Sequence, residues 1–240
     1  MNEALADQEL QDWVARLRKR QPDTAEPDLA LLRRPRYRPD GPPLCSVREL
    51  HLGTRPITSA RLYRPSAQRL PLVLYAHGGF GDLDSHDRMC RRLALRANAV
   101  VLSVEYRRAP EHRAPAAVDD LFNVACWAVG LPEELGPVMA APALAGDSAG
   151  GAIAVLAAAR LASASIPVSA VLLICPNTDL TLSLPSVRAK GSGWGLQADD
   201  MRWLVHQMGS RSQSTDVGPL QPSARRSTRL THNPGGHCRA

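Results

Sequence analysis

Through the middle of this chain the hydrophobic residues fall in short unbroken runs, and on either side they recur at helical spacing. Leu5, Leu10, Trp13, Val14 and Leu17 recur with the period of an amphipathic helix over Ala4 to Lys19. The next thirty or so residues are rich in proline and arginine and read as extended coil. Val47 to Tyr63 reads as two short strands around a turn near Gly53 to Pro56. Leu70 to His77, Ala99 to Tyr106 and Val168 to Cys175 are apolar runs of strand length, the kind buried on both faces of a sheet. Between them Ala116 to Val129 and the alanine-rich Ala152 to Ala164 read as helices, and Val138 to Leu144 leads into a glycine-rich turn. A Gly-Ser-Gly hinge then precedes a helix over Asp199 to Met208, after which periodicity disappears. Strand, helix, strand, helix, strand predicts an α/β fold: a mostly parallel sheet with helices on both faces.

Composition narrows the class. A chain of 240 residues with 44% hydrophobic content can bury one sizeable core. No run approaches the ~18 apolar residues of a membrane span, and the polar, acidic start does not read as a secretory leader. Cys45, Cys90, Cys126, Cys175 and Cys238 lack metal-ligand spacing; their odd number is that of reduced thiols, so a cytoplasmic location is expected. The net charge of +6 raises the question of nucleic acid. Its main source is local, since Arg211, Arg225, Arg226, Arg229 and Arg239 stand against the single acid Asp216 after residue 210. The rest is nearly neutral, so no nucleic-acid partner is expected.

The chemistry sits in two glycine-bearing turns. Gly146-Asp147-Ser148-Ala149-Gly150 fits G-x-S-x-G, with an apolar strand before it and a helix after it. There the turn lifts the serine hydroxyl above the sheet, and the N–H of Ala149 points at an oxyanion formed on a substrate carbonyl. The alternative is an ordinary strand-to-helix turn with Ser148 as N-cap. His77-Gly78-Gly79 follows an earlier buried strand and supplies further N–H donors. His77 precedes the serine, whereas the base follows it in this architecture, so a structural role is expected for His77.

These segments, together with Glu105 to Asp120 (EYRRAPEHRAPAAVDD) and Cys175 to Leu180 (CPNTDL), resemble the hormone-sensitive-lipase, or GDXG, family of carboxylesterases on the α/β-hydrolase fold. The resemblance runs from about Val47 to Met208. It implies a serine carboxylesterase acting on a small-molecule ester through an acyl-enzyme, with Ser148 as nucleophile and Gly78, Gly79 and Ala149 as the oxyanion hole. It implies no metal and no cofactor. Tyr106 to Glu111 takes a supporting role in this reading, with Arg107 and Glu111 expected as an ion pair. The corresponding division is an N-terminal cap helix and linker over 1–46, the hydrolase core over 47–184, a lid segment over 185–209 and a tail expected to be disordered over 210–240.

The chain departs from the family pattern twice. Phe80 follows Gly79 directly, so the oxyanion loop is about three residues short. No D-P-L-x-D-E motif follows the nucleophile, and Asp216, His232 and His237 are the candidate acid and bases in the tail. Read in the next frame, the codons for THNPGGHCRA allow a string similar to the family's strand before its catalytic Asp. The tail is therefore expected to be the frameshifted end of a longer esterase, with the last strands of the sheet missing and activity impaired. The alternatives are a ligand-binding protein on the same fold, as in plant gibberellin receptors, and a non-functional truncated product.

Overall fold

The computed structural model describes residues 7–20, 28–34, 40–194 and 196–209. They carry strands β1 (Ser46–Leu52), β2 (Thr58–Arg64), β3 (Leu72–Ala76), β4 (Val100–Glu105), β5 (Ala143–Asp147) and β6 (Val171–Ile174). The helices are α1 (Gln8–Arg20), α2 (Leu29–Leu32), α3 (Asp87–Ala97), α4 (Ala116–Val129), α5 (Ala149–Ser163), α6 (Pro185–Lys190) and α7 (Ala198–Met208). The strands form one sheet in the order β1-β2-β4-β3-β5-β6. β1, β2 and β4 pair antiparallel, and β4, β3, β5 and β6 run parallel.

Alternation along the strands sorts the core into two halves. Leu72, Leu74, Val100, Leu102, Val104 and Leu144 face Leu121, Val124 and Ala125 of α4 and Ile153, Ala154, Ala157 and Leu161 of α5. Tyr63, Val73, Tyr75, Val101 and Ala145 face Cys90 and Ala94 of α3. Every residue of β3 is buried, which is why that run reads as unbroken apolar sequence rather than as an alternation. The sheet covered on both faces bears out the predicted fold class.

The sequence pattern gave α4 with the bounds observed and placed β1 to β6 within a few residues. The pattern does not predict α3, whose apolar positions are interrupted by Arg88, Arg91, Arg92 and Arg96; Met89, Cys90, Leu93 and Ala94 nevertheless pack against the core. That helix ends at Asn98, in the left-handed conformation (φ 45°), whose N–H closes on the carbonyls of Ala94 and Leu95.

The chain divides into two compact units. One holds β1 to β6 with α3, α4 and α5, from Arg33 to Thr178; the other joins α1 and α2 to α6 and α7. Within the second, Arg18 donates to the Gly193 carbonyl (3.0 Å), and Arg18 and Lys190 both lie against the Trp194 ring. The expected tail over 210–240 lies outside the described residues. Among the described residues no helix is long and apolar enough to cross a membrane.

Candidate active site

Ser148 is the single residue between β5 and α5, with φ 52° and ψ −119°. The surrounding packing holds it there. Its N–H donates to the Ile174 carbonyl of β6 (2.9 Å), and its own carbonyl accepts from Gly151 (3.1 Å), Ala152 (3.3 Å) and Asn177 (3.2 Å). A Cβ at Gly150 would collide with the carbonyls of Ala76 and His77, and one at Gly146 with the carbonyl of Gly150. The two glycines thus let the turn press against the end of β3. Ser148 occupies the N-cap position of α5, yet its hydroxyl makes no cap bond. An N-cap serine would spend its oxygen on the helix; this one does not.

The second glycine-bearing turn meets the first. The Cβ position of Gly79 lies 3.3 Å from Ala149 Cβ, and that of Gly78 lies 2.7 Å from the Asp147 carboxylate. Two segments about 70 residues apart are therefore joined where the sequence reading brings oxyanion donors to a nucleophile. Gly81 N–H donates to the Gly78 carbonyl (2.8 Å), a tight turn that accommodates Phe80 directly after Gly79. Among the described residues no acceptor takes the N–H of Gly78 or Gly79.

His77 sits behind this loop, fully buried and stacked on Tyr106 with ring centroids 4.4 Å apart. Its Nδ1 lies 2.9 Å from the Gly78 carbonyl, and Tyr106 Oη donates to the His77 carbonyl (2.7 Å). Nε2 has no hydrogen-bond partner among the described residues and lies 3.9 Å from the Glu105 carboxylate. Burial pushes the His77 imidazolium down to about 4, so the ring is neutral at physiological pH.

The expected pair between Arg107 and Glu111 is not formed. Arg107 instead grips Asp120 of α4 through its backbone N–H (2.8 Å), Nε (3.0 Å) and Nη2 (2.8 Å), and Asp120 is almost fully buried. Glu111 pairs with Arg33 (2.7 Å). The buried carboxylate takes the nearest guanidinium, since leaving it unpaired is costly. The exposed Glu111 takes a partner from far upstream.

Other groups hold the loop that sequence reading did not single out. Arg108 Nη1 donates to the Gly81 carbonyl (2.7 Å), and Leu83 N–H to Glu105 (3.1 Å). Asp147 accepts from Tyr75 Oη (2.7 Å) and faces His86 Nε2 (3.2 Å). Burial works to raise the Asp147 carboxyl, but the bonds from His86 and Tyr75 outweigh it and hold it below the usual carboxylate range. Asp147 lies inside the G-D-S-A-G turn and His86 nine residues after His77, a separation from which sequence spacing alone does not pair them. Asp216, His232 and His237 lie outside the described residues. Among the described residues no cluster of His, Cys, Asp and Glu could hold a metal ion.

A family model described as alpha/beta hydrolase fold matches residues 73–232. The carboxylic ester hydrolase LipN of Mycobacterium tuberculosis is 38% identical over 174 residues, covering 68% of this chain and 45% of that protein. The ethyl acetate hydrolase of Pseudomonas putida is 38% identical over 172 residues, covering 67% of this chain and 54% of its own length. Among solved structures, a hyperthermophilic esterase from the archaeon Pyrobaculum calidifontis superposes with a TM-score of 0.65 at 34% identity, covering 85% of this chain and 63% of its own. The chain thus spans about half the length of the curated relatives it matches.

Proposed function

The chain belongs to the α/β-hydrolase fold family, in its hormone-sensitive-lipase-like branch, and from that premise we propose that it is a carboxylic-ester hydrolase with Ser148 as its nucleophile. The observation that carries this reading is the strained, uncapped Ser148 beside a loop whose Gly78 and Gly79 N–H groups have no acceptor among the described residues. Ser148 Oγ attacks the ester carbonyl, and the negative charge that develops on its oxygen is taken up by the N–H groups of Gly78, Gly79 and Ala149. The α5 N-terminus adds its partial positive charge. The tetrahedral species collapses, the alcohol leaves, and water releases the acid from the acyl-serine. A short-chain ester is the expected substrate class, by analogy with the relative named for ethyl acetate.

The Ser148 proton needs an acceptor, and among the described residues no side chain is hydrogen-bonded to Oγ. We therefore expect the 240-residue chain to be a slow catalyst. A serine hydrolase that has lost part of its triad retains an acceleration of roughly 10³–10⁴ over water, through binding and oxyanion stabilisation. Turnover of p-nitrophenyl acetate tests this directly. The expected rate is barely above background, with Ser148→Ala changing it little. Fast turnover abolished by His232→Ala or His237→Ala would instead assign the base to one of those histidines.

A further inference from the structure

His86 lies at the junction of the two functional turns. Its Nε2 faces both oxygens of Asp147, at 3.2 and 3.4 Å, and its Nδ1 lies 2.9 Å from Ser85 Oγ. Ser85 is itself fixed. Its Oγ accepts from Asp82 N–H (2.8 Å) and its N–H donates to the Asp82 carboxylate (2.7 Å). Asp147 is held from below by Tyr75 of β3. A hydrogen-bonded chain therefore runs from the oxyanion loop through His86 to the residue before the nucleophile, and on into the central sheet.

The glycines of the loop are shaped around this chain. A Cβ at Gly78 would press on Asp147 Oδ2 (2.7 Å), and one at Gly81 would press on His86 Nδ1 (2.7 Å). The loop is thus wrapped onto the His86–Asp147 pair at two points, with Gly79 between them. Nothing else among the described residues bonds a side chain of this loop to Asp147. The hydrogens are consistent with this role in either charge state. In neutral His86 the Nε2–H donates to Asp147 and Nδ1 accepts from Ser85. In the charged ring Nδ1–H donates to Ser85 Oγ, whose own proton turns to the Asp82 carbonyl at 3.0 Å.

We propose that His86 is a positioning residue of the oxyanion hole: by fastening the shortened loop to Asp147, it holds the Gly78 and Gly79 N–H groups in register with Ser148. The proposal rests on the esterase reading for its consequence, although the clamp itself can be tested without it. Two readouts are compared in the native chain, His86→Ala and His86→Gln. The first is amide hydrogen exchange at Gly81 and Asp82, whose N–H groups are bonded within the loop. The second is the rate of Ser148 modification by an alkyl p-nitrophenyl phosphonate, whose P–O group uses the same oxyanion donors.

Loss of one charge-assisted hydrogen bond is expected to speed exchange at both amides about tenfold in His86→Ala. Exchange in β3 and β4 stays unchanged, and Ser148 modification slows by a similar factor. His86→Gln carries an amide donor that reaches toward Asp147, and it restores both readouts to within about threefold of native. Unchanged exchange in His86→Ala overturns the clamp. Faster exchange with unchanged modification overturns the positioning role. Should His86→Ala fail to fold, a folded His86→Gln with native rates supports the proposal, and one as slow as background sinks it. A native chain that is never modified at Ser148 defeats the esterase reading, and the exchange comparison still decides the clamp.

Discussion

Ser148 holds a backbone conformation that a serine adopts at a cost. At φ 52° and ψ −119° its Cβ crowds the peptide, a strain of order 1–3 kcal/mol that only the packing of Gly146 and Gly150 against β3 makes tolerable. Ser148→Gly removes the strain together with the proposed nucleophile. We expect that variant to be more stable by about 1 kcal/mol in urea unfolding, the trade of stability for activity found at strained functional residues. An unchanged or lowered midpoint would mean that the turn is not strained. His77 yields a second prediction at this scale. Its folded pKa is depressed to about 4, so below the unfolded value near 6.5 the unfolded chain binds the extra proton. Stability from this residue is complete above pH 6.5 and is lost as pH falls toward 4, by roughly 3 kcal/mol over the whole window. His77→Gln is expected to flatten that part of the pH dependence of unfolding. A variant with the native slope would place the titrating group elsewhere. Single residues were also where sequence reading was weakest. The pair of Arg107 with Glu111 is expected from the family resemblance, but the buried Asp120 claims the guanidinium and Arg33 takes Glu111.

Elements were legible in proportion to how completely the core dictates their pattern. β3 and β4 are buried on both faces; β3 is an unbroken apolar run, and β4 is interrupted only by Ser103 before it ends at Glu105. The start of α5 was read three residues late, because Gly150 and Gly151 suggest a loop, whereas in the structure they are the first turn of the helix where it passes closest to β3 and Pro176. α3 escaped because its single buried stripe is interrupted by arginines that reach solvent. β6 is an edge strand of the sheet with exposed apolar residues. Leu173 packs on the α4–α5 side of the core, while Val171 and Leu172 are 41% and 46% exposed, and among the described residues no strand pairs with its outer edge. An apolar edge of this kind invites pairing with another chain. Leu172→Lys is therefore expected to lower self-association of the 240-residue chain, measured by sedimentation velocity at matched concentrations. Equal association of native and variant would show that this edge is not the sticky surface.

For the molecule as a whole, the fold brings together what the sequence keeps apart. The H-G-G turn after β3 and the G-D-S-A-G turn after β5 meet because β3 and β5 are neighbours in a parallel sheet, so both turns emerge at the same end. That much was readable from two motifs, each placed after a buried strand. The hydrogen bonds that link them, Tyr75 to Asp147 to His86 to Ser85, were not, because they depend on which side chains the sheet and the H-G-G loop bring within reach. The candidate acid and bases, Asp216, His232 and His237, lie outside the described residues. The proposed role of Ser148 as nucleophile is open to covalent capture. The intact 240-residue chain is incubated with an alkyl p-nitrophenyl phosphonate, digested, and mapped by mass spectrometry. Slow modification approaching one phosphonyl group per chain is expected, confined to the peptide bearing Ser148 and absent from Ser148→Ala. No modification over long incubation, or modification that persists in Ser148→Ala, would contradict that role.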